Sequence, residues 1–336
     1  MLNFFKAAKK ERVSVGLDIG SSAIKAVKLK FSSESVELTG FTSEPSEIDP
    51  IGALKKIRES LGADTVNISV SGPATVIRYV TFPKMSEAEL HQALKFEAQK
   101  HIPFPVADVN LDGFILKDGL SDNKMLVLLA AAKKEIISQR IKTVTDAGIK
   151  VLVTDIDALA LINAFNFNYP QISPVEPKAV ALLNIGASIS NLSILEGGSP
   201  RLSRDMHFGG NNFTQKIADI FAIDFKAAEL LKLKPDNAGA NKVGVAIDSV
   251  LTNLATEIRT SFDFYESQSA SSVTKIFLSG GAAQFSALKE MLSSILGMDV
   301  EVWDPLKKIN ISPRLDPEKL KVISGQFTVA IGLGLR

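Results

Sequence analysis

Apolar and polar residues alternate from Val13 to Ile19, give way to the turn Gly20-Ser21-Ser22, and resume from Ile24 to Leu29. Alternation on both sides of a tight polar turn predicts a β-hairpin. Residues 36–42 predict a third strand, 50–61 a short helix and 65–71 a further strand, which together make a compact β-β-β-α-β unit. After Gly72-Pro73, the run TVIRYVTF predicts a strand that Pro83 ends. Ser86 and Glu89 then form a capping box, and Leu90, Ala93, Leu94, Ala98 and Ile102 follow a 3.6-residue period up to Pro103. Strands over 109–117 and 124–131 and a helix from Lys134 to Ala147, stopped by Gly148, complete a small α+β insert over residues 73–147.

The strand IKVLVTDI and a helix from Asp157 to Phe165 return the chain to the larger fold. A polar, Pro-bearing connection, Tyr169 to Lys178, is the expected domain boundary or hinge. Beyond it a second hairpin spans ALLNIGASISNLSIL, residues 181–195. The turn Phe208-Gly209-Gly210-Asn211 precedes a helix predicted to be capped by Asn212 with Gln215 reaching back. A longer helix over 247–268 carries Ile247, Leu251, Leu254, Ile258, Phe262 and Tyr265 on one face. The strand VTKIFLSGG leads into the helix FSALKEMLSSIL, and the chain closes on GQFTVAIGLGLR.

The two hairpins correspond. A shift of 166 positions places Asp18 on Asn184, Gly20 on Gly186 and Ser22 on Ser188. Beyond the turn the apolar alternation slips by one residue, so the match is secure over the turn alone. Two such turns, each opening a half of the chain, predict related domains facing each other across a cleft. Glycine lets backbone approach a phosphate, and successive N–H groups with Ser21, Ser22, Ala187 and Ser188 form an anion-binding concavity. Lys25 adds positive charge, and Asp18 is placed to hold Mg²⁺ through water. Leu278-Ser279-Gly280-Gly281-Ala282 ends a strand before a helix, where small residues let a flat ring lie on the backbone. Glu257 and Ser261, one helical turn apart, either face the ribose or base, or are a solvated Glu and a packed Ser.

Composition narrows the chemistry. With 336 residues, 46% hydrophobic and 22% charged, the chain is expected to form about two domains. A formal net charge of +1 gives no reason to expect nucleic acid as a partner. The absence of Cys excludes disulfides and thiol catalysis and accords with a reducing cytoplasm. Three scattered His residues, His91, His101 and His207, do not suggest a zinc site. No apolar run is long enough to span a membrane. The start, MLNFFKAAKKER, lacks a signal-peptide core; it reads as a basic tail over residues 1–12 that either touches an anionic membrane surface or is disordered.

These residues carry a family resemblance. Asp18-Ile-Gly-Ser-Ser with Lys25 resembles the first phosphate motif of the superfamily of actin, sugar kinases and heat-shock chaperone ATPases. Asn184-Ile-Gly-Ala-Ser resembles the second phosphate motif and Ser279-Gly-Gly-Ala the adenosine motif, while the helices from Asp157 and Gln326 resemble the two interdomain connections. Within that superfamily, FFKAAKKERVSVGLDIGSSAIKAVKLK, FEAQKHIPFPVADV, HFGGNNFTQKIA, EIRTSFDFY, IFLSGGAAQFSALKEML and VAIGLGLR resemble the PilM family of type IV pilus assembly.

The resemblance implies an α/β actin-like fold of two related domains around a nucleotide cleft. Subdomain 1A would take residues 13–72 and 148–177, and an SHS2-like subdomain 1C residues 73–147. Subdomain 2A would take mainly 178–210 and 270–336, and 2B residues 211–269. It further implies a cytoplasmic adaptor at the inner face of the membrane that binds ATP and Mg²⁺. Gly209 and Gly210 would join the other site residues, and Asp157 is the candidate for orienting an attacking water. Its partners would be other pilus assembly proteins and the cytoplasmic N-terminal peptide of PilN, seated in a groove between 1A and 1C. The role would support twitching motility and in some bacteria DNA uptake, and homo-oligomers are compatible with it. Asn184, neutral where the second phosphate motif usually has Asp, argues for ATP binding with weak or absent hydrolysis. The alternatives are an FtsA-like division scaffold, a type II secretion scaffold and a small-metabolite kinase.

Overall fold

The computed structural model describes residues 11–170, 179–233, 237–285 and 287–336. Most of the basic tail and of the 169–178 connection therefore lies outside the described residues. The first hairpin is β1 (Arg12–Ile19) and β2 (Ala23–Phe31), followed by β3 (Val36–Pro45), α1 (Pro50–Leu61) and β4 (Thr65–Val70). Asp49 caps α1 by accepting the Gly52 N–H at 2.8 Å, and Ala53, Leu54, Ile57 and Leu61 bury one helix face. The insert holds β5 (Thr75–Pro83), α2 (Glu87–Glu97), β6 (Val109–Leu120) and β7 (Lys124–Lys133), and α3 (Lys134–Asp146), expected within it, instead buries Val144 in the first sheet's core with Leu17 and Ile57. Its capping box forms as the spacing predicts: Ser86 Oγ accepts the Glu89 N–H at 3.3 Å, and Glu89 Oε2 accepts the Ser86 N–H at 2.8 Å.

The chain returns through β8 (Lys150–Ile156) and α4 (Asp157–Asn168), then forms β9 (Ala179–Ile185), β10 (Ser190–Glu196) and β11 (Ser199–Met206). Three helices follow, α5 (Gly210–Phe221), α6 (Phe225–Leu233) and α7 (Asn237–Gln268). The last elements are β12 (Val273–Ser279), α8 (Leu288–Leu296), β13 (Asp299–Val302), β14 (Asn310–Ile311), α9 (Pro317–Ile323) and α10 (Thr328–Gly334). Two boundaries differ from expectation. Helix α7 starts ten residues before Ile247. Helix α5 is capped at Gly209 rather than Asn212, because the Gly210 and Asn211 N–H groups dock on the carbonyls of Gly186 and Ala187, both at 2.8 Å. Asn212 Oδ1 instead accepts the Gly209 N–H at 2.9 Å, and Gln215 donates to Asp219.

The sheets make the internal relationship explicit. The first runs β14-β3-β2-β1-β4-β8 and the second β11-β10-β9-β12-β13, while the insert forms its own sheet, β5-β7-β6. Apart from the short β14, the first two have the same strand order and directions: an antiparallel three-stranded meander with two parallel strands added beside its first strand. Between them lies a shared apolar core in which Val27, Leu29, Leu161, Phe165, Leu182, Phe277, Trp303 and Ile331 are all buried. There Trp303 meets Phe165 edge-on at 5.1 Å and Tyr169 at 5.8 Å.

Backbone contact fixes the spacing of these layers. Helix α10 lies so close to β1 and α4 that a Cβ on Gly16 would overlap the Ala330 carbonyl, and one on Gly332 the Ala160 carbonyl. Asn163 and Asn67 then donate to the carbonyls of Gly332 and Leu333, both at 2.9 Å. Gly332→Ala is expected to destabilise the fold by about 2–3 kcal/mol, because backbone rather than a flexible side chain must move. Gly281→Ala, at a site with open space and no positive φ, should change stability by about 1 kcal/mol or less. Urea unfolding of both variants measures the difference.

Candidate functional site

Both hairpin turns are built alike and meet. The Gly20 N–H donates to Ala23 O at 3.2 Å and the Gly186 N–H to Ile189 O at 3.0 Å, so each turn closes over the same number of residues. The register therefore continues past the turn: Asp18 lies opposite Lys25 on β2, and Asn184 opposite Asn191 on β10. In the first hairpin that pair is ionic, with Lys25 Nζ 3.0 Å from Asp18 Oδ2. In the second it is neutral, with Asn184 Nδ2 donating to Asn191 Oδ1 at 3.2 Å. Across the cleft, Ser21 Oγ donates to Ser188 Oγ at 2.9 Å. The backbone at Ser22 is held from behind, its carbonyl accepting the Ser46 N–H at 3.1 Å.

Two further glycine elements border the second turn. Gly210 docks on it through the α5 contact already described, a Cβ on Gly209 would overlap the Ala187 carbonyl, and Asn211 Nδ2 donates to Ser188 Oγ at 3.3 Å. Gly280, at φ +95°, occupies a conformation suited to glycine, and an added Cβ would overlap the Ile185 carbonyl. Gly281 faces open space, and Ala282 lies beside Gly210. The first turn, the second turn, Gly209–Gly210 and Gly280–Ala282 thus converge on one cleft.

Asp157 opens α4 beside that cleft. Burial, then the neighbouring Asp18 carboxylate, push its carboxyl up to about 6, against the lowering effect of the Ser69 and Ser71 hydroxyls. Glu257 and Ser261 have partners on the flank of β11: Arg204 reaches Ser261 Oγ at 3.4 Å and Glu257 at 3.9 Å, and Ser261 donates to the Glu257 carbonyl.

Sequence reasoning missed two groups. Lys232, 3% exposed, donates to Gly210 O at 3.2 Å, Thr214 Oγ1 at 2.7 Å and Glu229 Oε2 at 2.6 Å. Burial lowers its pKa, opposed by Glu229. The i, i+3 spacing of Glu229 and Lys232 was the available signal. The second group continues the Asn184 pair. Ser279 Oγ donates to Asn184 Oδ1 at 3.2 Å, Asn191 Nδ2 donates to Asp205 Oδ1 at 2.7 Å, and the Gly72 N–H donates to Asp205 Oδ2 at 2.7 Å. Asn191 follows Asn184 by seven residues as Lys25 follows Asp18, which was legible; Asp205 had no local signal.

A separate groove of about 470 Å³ lies between the insert and the first sheet. Asp112 and Phe114 of β6, Ala130 of β7, Val153 and Asp155 of β8, and Arg336 contribute to its walls. Strand β8 ends the sheet order, and its Leu152 and Val153 are 58% and 40% exposed, as Phe114 is 63%. Arg336 Nε donates to Asp155 Oδ2 at 2.6 Å, while Asp155 Oδ1 accepts the Ile156 N–H.

Two sheets that share one five-strand order, around a glycine-lined cleft, define an actin-like fold, with a small α+β insert. The family model described as type IV pilus assembly protein PilM matches residues 16–336, and the chain belongs to that family. It is similar to a chain of the PilM–PilN type IV pilus biogenesis complex at 29% identity and a TM-score of 0.84, over 96% of this chain and 98% of that one. The ethanolamine utilization protein EutJ from Carboxydothermus hydrogenoformans shares the fold at 15% identity and a TM-score of 0.56, over 96% and 89% of the two chains. Among the described residues no helix is long and apolar enough to cross a membrane.

The raised pKa of Asp157 sets a pH dependence. The folded state holds this proton more tightly than the unfolded chain, so the group's stabilising contribution is complete below about pH 4 and is lost as pH rises through about 6. Asp157→Asn lacks that loss and should gain up to ~3 kcal/mol relative to the parent between pH 4 and pH 7.5. Urea unfolding of both proteins at the two pH values checks it.

Proposed function

We propose that this type IV pilus assembly protein is an ATP-binding adaptor that holds the N-terminal cytoplasmic segment of PilN in the groove between its insert and its first sheet. The observation that carries the reading is the groove itself, bordered by β8, which among the described residues is an edge strand, and lined by Ala130. A strand edge offers backbone hydrogen bonds to an extended peptide, and the small alanine side chain in the lining leaves room for its apolar side chains. In this reading the insert is subdomain 1C and the groove divides it from 1A. Membrane association at the cytoplasmic face comes through PilN, and the adaptor supports pilus biogenesis and twitching motility.

ATP would lie with its phosphates between the Gly20–Ser22 and Gly186–Ser188 turns, Lys25 and Gly209 close by, and its adenosine against Gly280–Ala282. Among the described residues no group of three His, Asp or Glu side chains could hold a metal directly. A Mg²⁺ ion would therefore rest on Asp18 through water and on phosphate oxygens. Both ends of the Asn184 amide are already engaged with protein, which supports a binding role over hydrolysis.

Two measurements test the reading. A PilN N-terminal peptide should bind the purified protein by calorimetry, and Ala130→Arg, which fills the groove, should weaken that binding about tenfold or more. Lack of peptide binding with or without Mg-ATP overturns the adaptor role. Separately, Asp18→Ala or Lys25→Ala should weaken ATP binding about tenfold or more, since each also strands the other charge in a largely buried place. Unchanged ATP affinity in both would put the nucleotide elsewhere.

A further inference from the structure

The chain of polar side chains that starts at Asn184 crosses four strands without a break. Ser279 on β12, Asn184 on β9, Asn191 on β10 and Asp205 on β11 are direct cross-strand neighbours on one face of the second sheet. Each hands a hydrogen bond to the next, at 3.2, 3.2 and 2.7 Å. Ser279, Asn184 and Asn191 are buried, at 0%, 8% and 2% exposure, so water is a poor substitute for any link. The last member leaves the sheet: Asp205 Oδ2 accepts the backbone N–H of Gly72, the residue at which the chain enters the insert. A parallel contact lies two residues further along the strands, where Ser193, Ser203 and the Tyr79 hydroxyl of β5 are joined at 3.1 and 2.9 Å.

One end of this ladder therefore stands at the end of the strand that leads into Gly280–Ala282, its second rung lies on β9 two residues before Gly186, and its far end holds the root of the insert. The insert is one wall of the groove. We infer that Asn191 and Asp205 are positioning residues that couple occupancy of the nucleotide cleft to the set of the insert, and so to the affinity of the groove. The inference rests on the reading of cleft and groove given above. A ligand that displaces the Gly186–Ser188 turn shifts Asn184, and the buried ladder gives that shift a fixed path to Gly72. The two-carboxylate-oxygen geometry matters here: Oδ1 of Asp205 faces Asn191 and Oδ2 faces Gly72, so the residue clamps both at once.

Hydrogen-bond direction supplies the test. In Asp205→Asn, the new amide donor must face either the Asn191 amide donor or the Gly72 N–H, and one link is lost. In Asn191→Asp, two carboxylates oppose each other. In the double variant, Asn191→Asp with Asp205→Asn, the carboxylate introduced on β10 accepts from both Asn184 and the amide introduced on β11. The carbonyl oxygen of that new amide accepts from Gly72. Every link and the net charge are restored.

The experiment measures affinity for the PilN N-terminal peptide by calorimetry, with no nucleotide and with saturating Mg-ATP, in the parent and all three variants. Nucleotide affinity is measured alongside to set saturation. The expected parent ratio between the two conditions is about fivefold or more, falling to within about twofold of unity in each single variant and recovering in the double. A merely structural ladder would lower stability or affinity without collapsing the ratio. If one single variant fails to fold, the other and the double still decide. A parent that binds both ligands with a ratio of one overturns the coupling, as does a single variant that keeps the parent ratio or a double that does not regain it. A parent that binds no peptide, or no ATP, fails the adaptor reading instead.

Discussion

Everything at the cleft depends on backbone meeting backbone where α10 lies against β1 and α4. Gly16 and Gly332 remove the side chains that would hold these layers apart, and the amides of Asn67 and Asn163 hold the buried carbonyls of Leu333 and Gly332 in place. With that separation set, two hairpin turns from chain segments more than 160 residues apart come within a single hydrogen bond of each other, Ser21 to Ser188. A looser junction would leave each turn as an ordinary glycine-rich bend. Close packing of this kind transmits small displacements rather than absorbing them, because the interior has no slack to take them up.

The matched hairpins also show how one backbone plan carries two electrostatic roles. In the first, Asp18 and Lys25 face each other as ions at the cleft wall. In the second, the same two positions hold Asn184 and Asn191, and the pair serves as a neutral relay. The loss of an acid at Asn184 is thus the gain of a donor: a carboxylate there would accept from Ser279 but could not give a hydrogen bond to Asn191. Negative charge near the cleft sits on other elements instead, where Asp18 and Asp205 both raise the carboxyl of Asp157.

Much of this was legible in the chain because it is local. Alternation marked both hairpins, the Ser86–Glu89 spacing gave a helix start that forms as expected, and Gly72-Pro73 fell between β4 and the first strand of the insert. The apparent slip in alternation after the second turn misled, because strands buried on both faces need not alternate: Leu192, Ser193 and Ile194 are all buried. The start of α5 was misplaced because its first N–H groups are satisfied by a distant turn rather than by Asn212. Asp205 and Lys232 escaped for a related reason. The spacing of Glu229 and Lys232 hints at that pair, but the contacts of Asp205 and Lys232 to backbone at Gly72 and Gly210 join separate segments, and no periodicity records such a meeting.

The lone tryptophan has a consequence of its own. Trp303 is 2% exposed, packed edge-on to Phe165 and Tyr169 in the core shared by both halves, and its indole N–H finds no acceptor among the described residues. A single buried indole with tyrosine beside it is an intrinsic optical gauge. Its emission reports the apolar seam between the halves without a competing fluorophore of its kind, and energy passed from Tyr169 makes the signal sensitive to the chain segment that begins there. The molecule thus carries its own label at the place where any relative motion of its halves would have to register.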